Sequence, residues 1–276
     1  MTGGYLHFQA QAIHKVRPFE TGPLTASTDA FVTSPTRAII LAAGQGKRLL
    51  PLTEARPKCL IELSGRSLLA WQLLRLQAAG VEEAVIVTGF RADAVEAEVA
   101  ALGLSMPVRL QFNPFYTVSD NTASCWIVRH EFDRQVLVLN GDTLFGPGVA
   151  EQLLAAPPAE ITVTIDRKPA YDADDMKVLT EHGRLVAIGK TIEAYDAESI
   201  GFLRFSAEGA AKFRDGVERV LQTPEGLRRW YLSVIDELAR SGVEVRVASI
   251  EGLEWGEMDF PQDVENLTRL SSAWKL

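Results

Sequence analysis

The segment "RAIILAAGQGKRLLPLTEARPKCLIELSGRSLL", residues 37 to 69, decides the reading of this chain. After Arg37, its six residues 38–43 form an apolar run short enough to be a buried strand. Gly44 and Gly46 follow at once, then Lys47 and Arg48, and a little later Arg56 and Lys58. Glycines at a strand's end let backbone N–H groups approach and surround an anion. Lys47 and Arg48 add positive charge, and a guanidinium can grip phosphate oxygens bidentately. The spacing is not that of the P-loop, because no Gly-Lys-Ser/Thr follows four spacer residues. Nor is it GxGxxG, since Leu49 stands where the third glycine belongs.

Outward from this segment, short apolar runs alternate with helical ones. "SLLAWQLLRLQAAG" spaces its leucines for a helix, and Gly80 stands where a C′ glycine belongs. "EAVIVTG" reads as a strand, "RADAVEAEVAAL" as a helix and "VRLQF" as a strand. "SDNTASCWIVRHEF" reads as one helix capped by Ser119 or Asp120, and "QVLVLNGD" as a further strand. This order predicts an α/β fold, a Rossmann-like mixed, mostly parallel sheet with helices on both faces. Ligands of such sheets bind at the carboxyl ends of the strands.

Beyond about residue 160 the pattern changes. "EITVTID", "MKVLTEHGRLVAIGK" and "ESIGFLRFS" read as strands, with "EHGR" a hairpin turn. "AEGAAKFRDGVERVLQ" and "LRRWYLSVIDELARSG" read as helices, "VEVRVASI" as a strand, and "FPQDVENLTRLSSAWKL" as a closing helix with Pro261 in its first turn. Residues 1–36 are poor in periodicity and rich in Thr, Ser and Pro. They read as an N-terminal extension, a mobile arm in preference to an ordered cap or dimer contact. Residues 37–276 read as one domain, with a nucleotide-binding half at 37–150 and an acceptor-binding half at 151–276.

The chain of 276 residues is 47% hydrophobic and 23% charged, with net charge −8, so a substantial core is affordable and any anion site must be a local basic concentration. An acidic chain argues against nucleic-acid binding. No apolar run approaches the roughly 20 residues of a membrane span. No secretory h-region opens the sequence, which makes a cytoplasmic location the expectation. Two cysteines and four scattered histidines give no metal or disulfide pattern.

The long string from Leu41 to Leu69 resembles the signature of the nucleotidyltransferases that make sugar nucleotides and related activated alcohols, LAAGxGxRLxPLTxxxPKxLxxxxGxPLL. Ser67 replaces the usual proline. The resemblance implies the nucleotide-diphospho-sugar transferase type of fold and a triphosphate site built by Leu41, Ala42, Ala43, Gly44, Gly46, Lys47, Arg48 and Lys58, with Gly89 and Gly141 beside it. Arg48 and Lys58 are then catalytic. "VLNGDTLF" places Asp142 at a strand's end, where an acid suits a hard cation. In "EWGEMDFPQD", Glu257 and Asp259 share a face if extended. The resemblance implies Mg2+ on Asp142 and Asp259, both catalytic, with Glu257 the next match for the second acid and Asp263 a first-turn helix residue instead.

"NPFYTVSDNTASCW" stands where hexose-1-phosphate enzymes carry a PLGTA-like loop. It resembles the branch of phosphocholine and 2-aminoethylphosphonate cytidylyltransferases, which implies Asn121 and Ser124 on base and sugar. Cys125 departs from a common leucine there. Lys190 and Glu198 correspond to acceptor-binding positions, whereas Asp174, Asp175 and Lys177 receive no role. A quaternary ammonium would need aromatic faces and a carboxylate. Trp255, Trp230, Tyr231, Tyr116 and Trp126 are candidates, Trp255 first, with Glu257 as the acid.

The expectation is a Mg2+-dependent transfer from an NTP, CTP foremost, to a small phosphorylated or phosphonate acceptor, with release of pyrophosphate. A homo-oligomer is compatible with it. The alternatives are a sugar- or inositol-phosphate acceptor with CTP, UTP, dTTP or GTP, and an inactive binding module on the same fold.

Overall fold

The computed structural model describes residues 36–275, and the extension expected over 1–36 lies outside them apart from Thr36. In chain order the strands and helices are β1 (Arg37–Ala42), β2 (Glu62–Leu63), β3 (Arg66–Ser67), α1 (Leu68–Ala78), β4 (Glu83–Thr88), α2 (Ala92–Ala101), β5 (Val108–Phe112) and α3 (Asn121–Ile127). They continue with β6 (Val136–Asn140), β7 (Thr143–Phe145), α4 (Val149–Ala155), β8 (Ile161–Asp166), β9 (Lys177–Glu181), β10 (Arg184–Ile188), β11 (Ala197–Phe205) and α5 (Ala207–Leu221). The last are α6 (Tyr231–Arg240), β12 (Val245–Ser249), β13 (Trp255–Glu257) and α7 (Pro261–Ser271).

Nine strands form one mixed sheet in the order β5-β4-β1-β6-β11-β8-β12-β10-β9. The pairs β5–β4, β4–β1, β1–β6 and β12–β8 are parallel. The pairs β6–β11, β11–β8, β12–β10 and β10–β9 are antiparallel. Parallel pairing therefore governs the first half of the chain, where helices make the crossovers, and β11 joins it antiparallel to a second half in which only β8 and β12 run parallel. The chain leaves β1 toward β4 on one side and β6 on the other. This reversal opens a crevice beyond the carboxyl ends of these strands.

Strand alternation builds two cores. Ile39, Val85, Val87, Val136 and Val138 pack with Phe213, Val217 and Ile235 of α5 and α6. Ala38, Ile40, Ile86, Leu137 and Leu139 face the other way, against Leu69, Leu73 and Leu76 of α1 and Val95 of α2. Each fully buried Leu or Ile contributes about 1.5–3 kcal/mol. A third, smaller core joins Leu49, Leu63, Trp71 and Leu144 to Met258 and Leu267, which docks the basic loop against α7. Ser67 caps α1 by accepting from the Ala70 N–H at 3.0 Å, so its replacement of proline has a structural use. Gly80 follows α1 at φ 84°, and His182–Gly183 (φ 49° and 76°) make the two-residue turn between β9 and β10. Both cysteines are buried; burial pushes the Cys59 thiol up to about 12 and Cys125 higher than its ordinary value, which removes either as a nucleophile.

Two helix expectations need correction. The helix expected over 119–132 ends at Ile127 and continues only as a single 3-10 turn at Arg129–Glu131, and Asp120 makes no side-chain cap. The helix expected from Leu227 starts at Tyr231, after a 3-10 turn at Gly226–Arg228. After α3 the chain turns to place Glu131 on Arg37 at the amino end of β1, whereas the segment before α6 carries Trp230 to the crevice.

Candidate active site

The loop after β1 folds on itself to seat Lys58. Thr53 Oγ1 donates to the Gly46 carbonyl at 2.8 Å, and the Lys58 N–H donates to Gln45 O at 3.2 Å. Gly46 sits at φ 80°, where a Cβ would lie 2.7 Å from Lys58 Cβ. Asp142 lies in the turn between β6 and β7. Its neighbour Gly141 donates to Leu41 O at 3.0 Å, and the Met258 N–H donates to Asp142 O at 3.0 Å. Asp259 follows β13 and is held by Asp263, whose carboxylate accepts from the N–H groups of Asp259 and Phe260 at 2.9 and 2.7 Å. Asp263 is thus the first-turn residue of α7 expected, and it also fixes the acid before it.

These elements bring their charges together. The Lys58 ammonium lies 2.9 Å from Asp142 Oδ2 and 2.6 Å from Asp259 Oδ1. Arg48 reaches Asp259 at 3.0 Å and Asp174 at 3.3 Å, and Lys190 reaches Asp174 at 3.5 Å. Burial alone would lower the Lys58 pKa, but Asp142 and Asp259 outweigh it and hold the ammonium above its ordinary value. Burial would raise Asp259, but Lys58 and then Arg48 pull it below the carboxylate range. Glu257 shares the crevice without a cation of its own; burial, with Asp142 and Asp259 adding to it, pushes it up to about 8.

On the side of the glycine-rich loop, Leu41, Ala43, Gly44, Asn121, Ser124 and Gly141 line one hollow, together with Tyr116 and Asn140. Gly46, Arg48 and Lys58 line the adjoining one with Ala42. Ser124 Oγ accepts from Asn113 Nδ2 at 3.1 Å, which leaves its own proton to donate elsewhere. Asn121 Oδ1 is taken by the Tyr231 N–H at 2.9 Å. Gly89 lines neither of these hollows, but a Cβ there would meet Ala43 O at 2.5 Å and Tyr116 Cβ at 2.6 Å, so it lets Tyr116 close on the loop. Lys47 is exposed and lies outside both hollows, unlike its neighbour Arg48.

On the other side, Lys190 lines a hollow with Asp174, Trp230, Glu257 and Asp259. A second is walled mainly by acids, among them Asp166, Asp172, Asp174 and Asp175, together with Glu198, Trp255 and Glu257. Lys168 sits between Asp175 and Glu198, 2.9 Å from each. Burial nevertheless pushes Glu198 up to about 7. The acids Asp174 and Asp175 and the amine Lys177 now have contacts: Lys177 donates to Asp172 O at 2.5 Å and Lys190 O at 3.3 Å, tying the loop before β9 to Lys190.

Of the aromatic candidates, Trp255 and Trp230 line the two hollows on this side. Tyr231 is fully buried in the core, and Trp126 stacks on Arg129. Phe260 carries Arg48 at 4.9 Å, Trp230 carries Lys190 at 4.8 Å, and Tyr171 carries Lys168 at 5.5 Å. Trp255 donates its indole N–H to Asp166 at 2.8 Å.

Among the described residues, no three His, Cys, Asp or Glu side chains gather into a closed metal cage. The pair Asp142 and Asp259 still suits a hard divalent cation that takes one or two carboxylates and completes its shell with phosphate and water oxygens. Asp142 Oδ1 is buried without a hydrogen-bond partner among the described residues, which leaves an acceptor for such an ion.

Residues 38–201, more than half of the chain, match the family described as the MobA-like NTP transferase domain. Over 240 residues the chain is 32% identical to the CMP-5′-(3-aminopropyl)phosphonate synthase of Streptomyces rubellomurinus, covering 83% of this chain and 38% of that protein. It is 30% identical to a bifunctional IPC transferase and DIPP synthase of Rubrobacter xylanophilus, of which it spans 52%. It is 25% identical to the CTP:phosphoglutamine cytidylyltransferase of Campylobacter jejuni, of which it spans 97% and which covers 83% of this chain. The fold matches the inositol-1-phosphate CTP transferase of T. maritima, with TM-score 0.74, 20% identity, and 88% and 100% of the two chains covered. It also matches the CTP:phosphocholine cytidylyltransferase of Streptococcus pneumoniae, with TM-score 0.73, 23% identity, and 86% and 99% covered.

Proposed function

The chain belongs to the MobA-like NTP transferase family, and from that premise we propose that it is a Mg2+-dependent cytidylyltransferase acting on a small phosphate or phosphonate that carries a primary ammonium. The observation that carries this reading is the Lys58 ammonium held between Asp142 and Asp259, where the basic loop meets the acceptor side. The similarity to a CMP-5′-(3-aminopropyl)phosphonate synthase and a CTP:phosphoglutamine cytidylyltransferase supports CTP as donor.

In the proposed reaction an acceptor oxygen attacks the α-phosphorus of CTP. A new P–O bond forms, the α–β bridging bond breaks, and pyrophosphate leaves with the electron pair. The nucleophile is already an anion near neutral pH, so no general base is required. Catalysis then rests on placement and on neutralising charge. Backbone amides around Gly44 and Gly46, with Lys58 and Arg48, bear on the triphosphate. Lys190, with Arg48, bears on the acceptor's anionic end. Mg2+ held by Asp142 and Asp259 would supply Lewis-acid neutralisation of the phosphates.

The hollow assigned here to the acceptor's other end is walled mainly by carboxylates, with Trp255 and Phe260 beside them. Carboxylates reward N–H donors, which a primary ammonium has and a quaternary one lacks. The test is kcat/KM with CTP for 2-aminoethylphosphonate, 3-aminopropylphosphonate and phosphoethanolamine against phosphocholine, inositol phosphate and glucose 1-phosphate. The primary amines should lead phosphocholine by about tenfold or more, the worth of one charge-assisted hydrogen bond. A lead for phosphocholine or for either polyol phosphate would contradict this acceptor class.

A further inference from the structure

Gln72 is a polar side chain in the middle of α1, 1% exposed, on a helix otherwise packed with leucines. Its Nε2 donates to two carbonyls, Asn140 O at 2.9 Å and Thr143 O at 2.8 Å. Those two carbonyls stand on either side of Gly141 and Asp142. Thr143 Oγ1 donates in turn to Ile200 O at 2.9 Å, tying the far side of the same turn to β11. Inside the turn, a Cβ at Gly141 would lie 2.6 Å from Leu41 O, so the backbone has no room to shift that way. The turn is therefore gripped from α1, β1 and β11. Its one outward product is the Asp142 carboxylate.

We propose that Gln72 is the positioning residue for Asp142: its amide clamps the carbonyls flanking the Gly141–Asp142 turn and thereby aims the carboxylate at the ion and at Lys58. The inference rests on the reading of Asp142 as a Mg2+ ligand. A carboxamide suits the task because one NH2 group can serve two acceptors at once. Its Oε1 has no partner among the described residues, so the side chain acts here through its two donations alone. Groups that orient a metal ligand in this way typically change metal affinity or activity by roughly 10–100-fold.

The test uses Mn2+ as the spectroscopic stand-in, with binding read by EPR in the presence of a non-reactive CTP analogue. Gln72→Leu removes both donations, and Gln72→Glu does so while keeping the volume, carrying the test should the leucine variant not fold. Leu69→Ala, a core truncation on the same helix, controls for loss of stability. The expected result is Mn2+ binding about tenfold or more weaker in the Gln72 variants, with kcat reduced in step and KM for CTP nearly unchanged. Leu69→Ala should lower Tm and leave Mn2+ affinity alone. Wild-type Mn2+ affinity in folded Gln72 variants, or equal weakening in Leu69→Ala, would overturn the inference. No Mn2+ binding by the wild-type protein would remove the metal reading itself.

Discussion

Glu198 shows how a single side chain in the crevice balances opposing terms. It is 3% exposed, paired with Lys168 at 2.9 Å, and still titrates near 7, because burial outweighs the ion pair. Its folded pKa lies above the unfolded value of about 4.3. The protonated form is thus favoured by folding, and that stabilisation is full below about pH 4.3 and lost as pH rises through 7. Glu198→Gln cannot ionise and should flatten this part of the profile. The Tm of the variant relative to wild type should rise between pH 5 and pH 8, and a parallel pair of Tm–pH curves would refute the assignment. At this scale the sequence exposes residues whose chemistry is written in a long motif, such as Arg48, Lys58 and Asp142. Gln72, Asn113, Lys168 and Asp174 were not legible, because which group a polar side chain meets, from 11 positions away for Asn113 to 126 for Asp174, is a property of the packing. Gln72 carries one local hint, an amide in the apolar run "LLAWQLLRL".

Among the elements, the loop after β1 is the one whose shape does chemical work. Gly46 is in the left-handed region and its missing Cβ leaves room for Lys58. Gly46→Ala should cost about 1–2 kcal/mol of stability from backbone strain. It should also lower kcat by roughly tenfold or more through displacement of the ammonium, a loss of ~1.4 kcal/mol in the transition state. Denaturant unfolding and steady-state kinetics on the same preparation read both, and unchanged kcat would show that Lys58 tolerates the shift. Long periodic elements such as β1, α1, β4 and α5 were legible from their spacing. Strands β7 and β13 were not. They are three residues each, too short for any alternation, and exist because β13 closes back on β7 through Thr143–Glu257 pairing. That pairing is what carries Asp259 to Asp142. The shortened α3 and α6 reflect the same limit, since helical spacing continues into segments whose backbone is used elsewhere.

Over the molecule as a whole, a chain of net charge −8 gathers Arg48, Lys58 and Lys190 at one crevice and surrounds them with acids. The strand reversal at β1 sets the place, and β11 brings the second half of the chain round to supply Glu198 and the wall beyond it. No helix among the described residues is long and apolar enough to cross a membrane. The topology of the parallel half could be read from alternating strands and helices, whereas the antiparallel return through β11 could not, because a continuous apolar strand does not announce its direction. The central claim is that this crevice transfers a cytidylyl group through Lys58 and the Asp142–Asp259 pair. Its most direct test is pyrophosphate release from CTP and 2-aminoethylphosphonate with Mg2+, run on wild type, Lys58→Ala and Asp142→Asn, with product mass confirming the CMP adduct. The account predicts Mg2+-dependent turnover in wild type and about a hundredfold loss or more in each folded variant. Variants that turn over at the wild-type rate would contradict it.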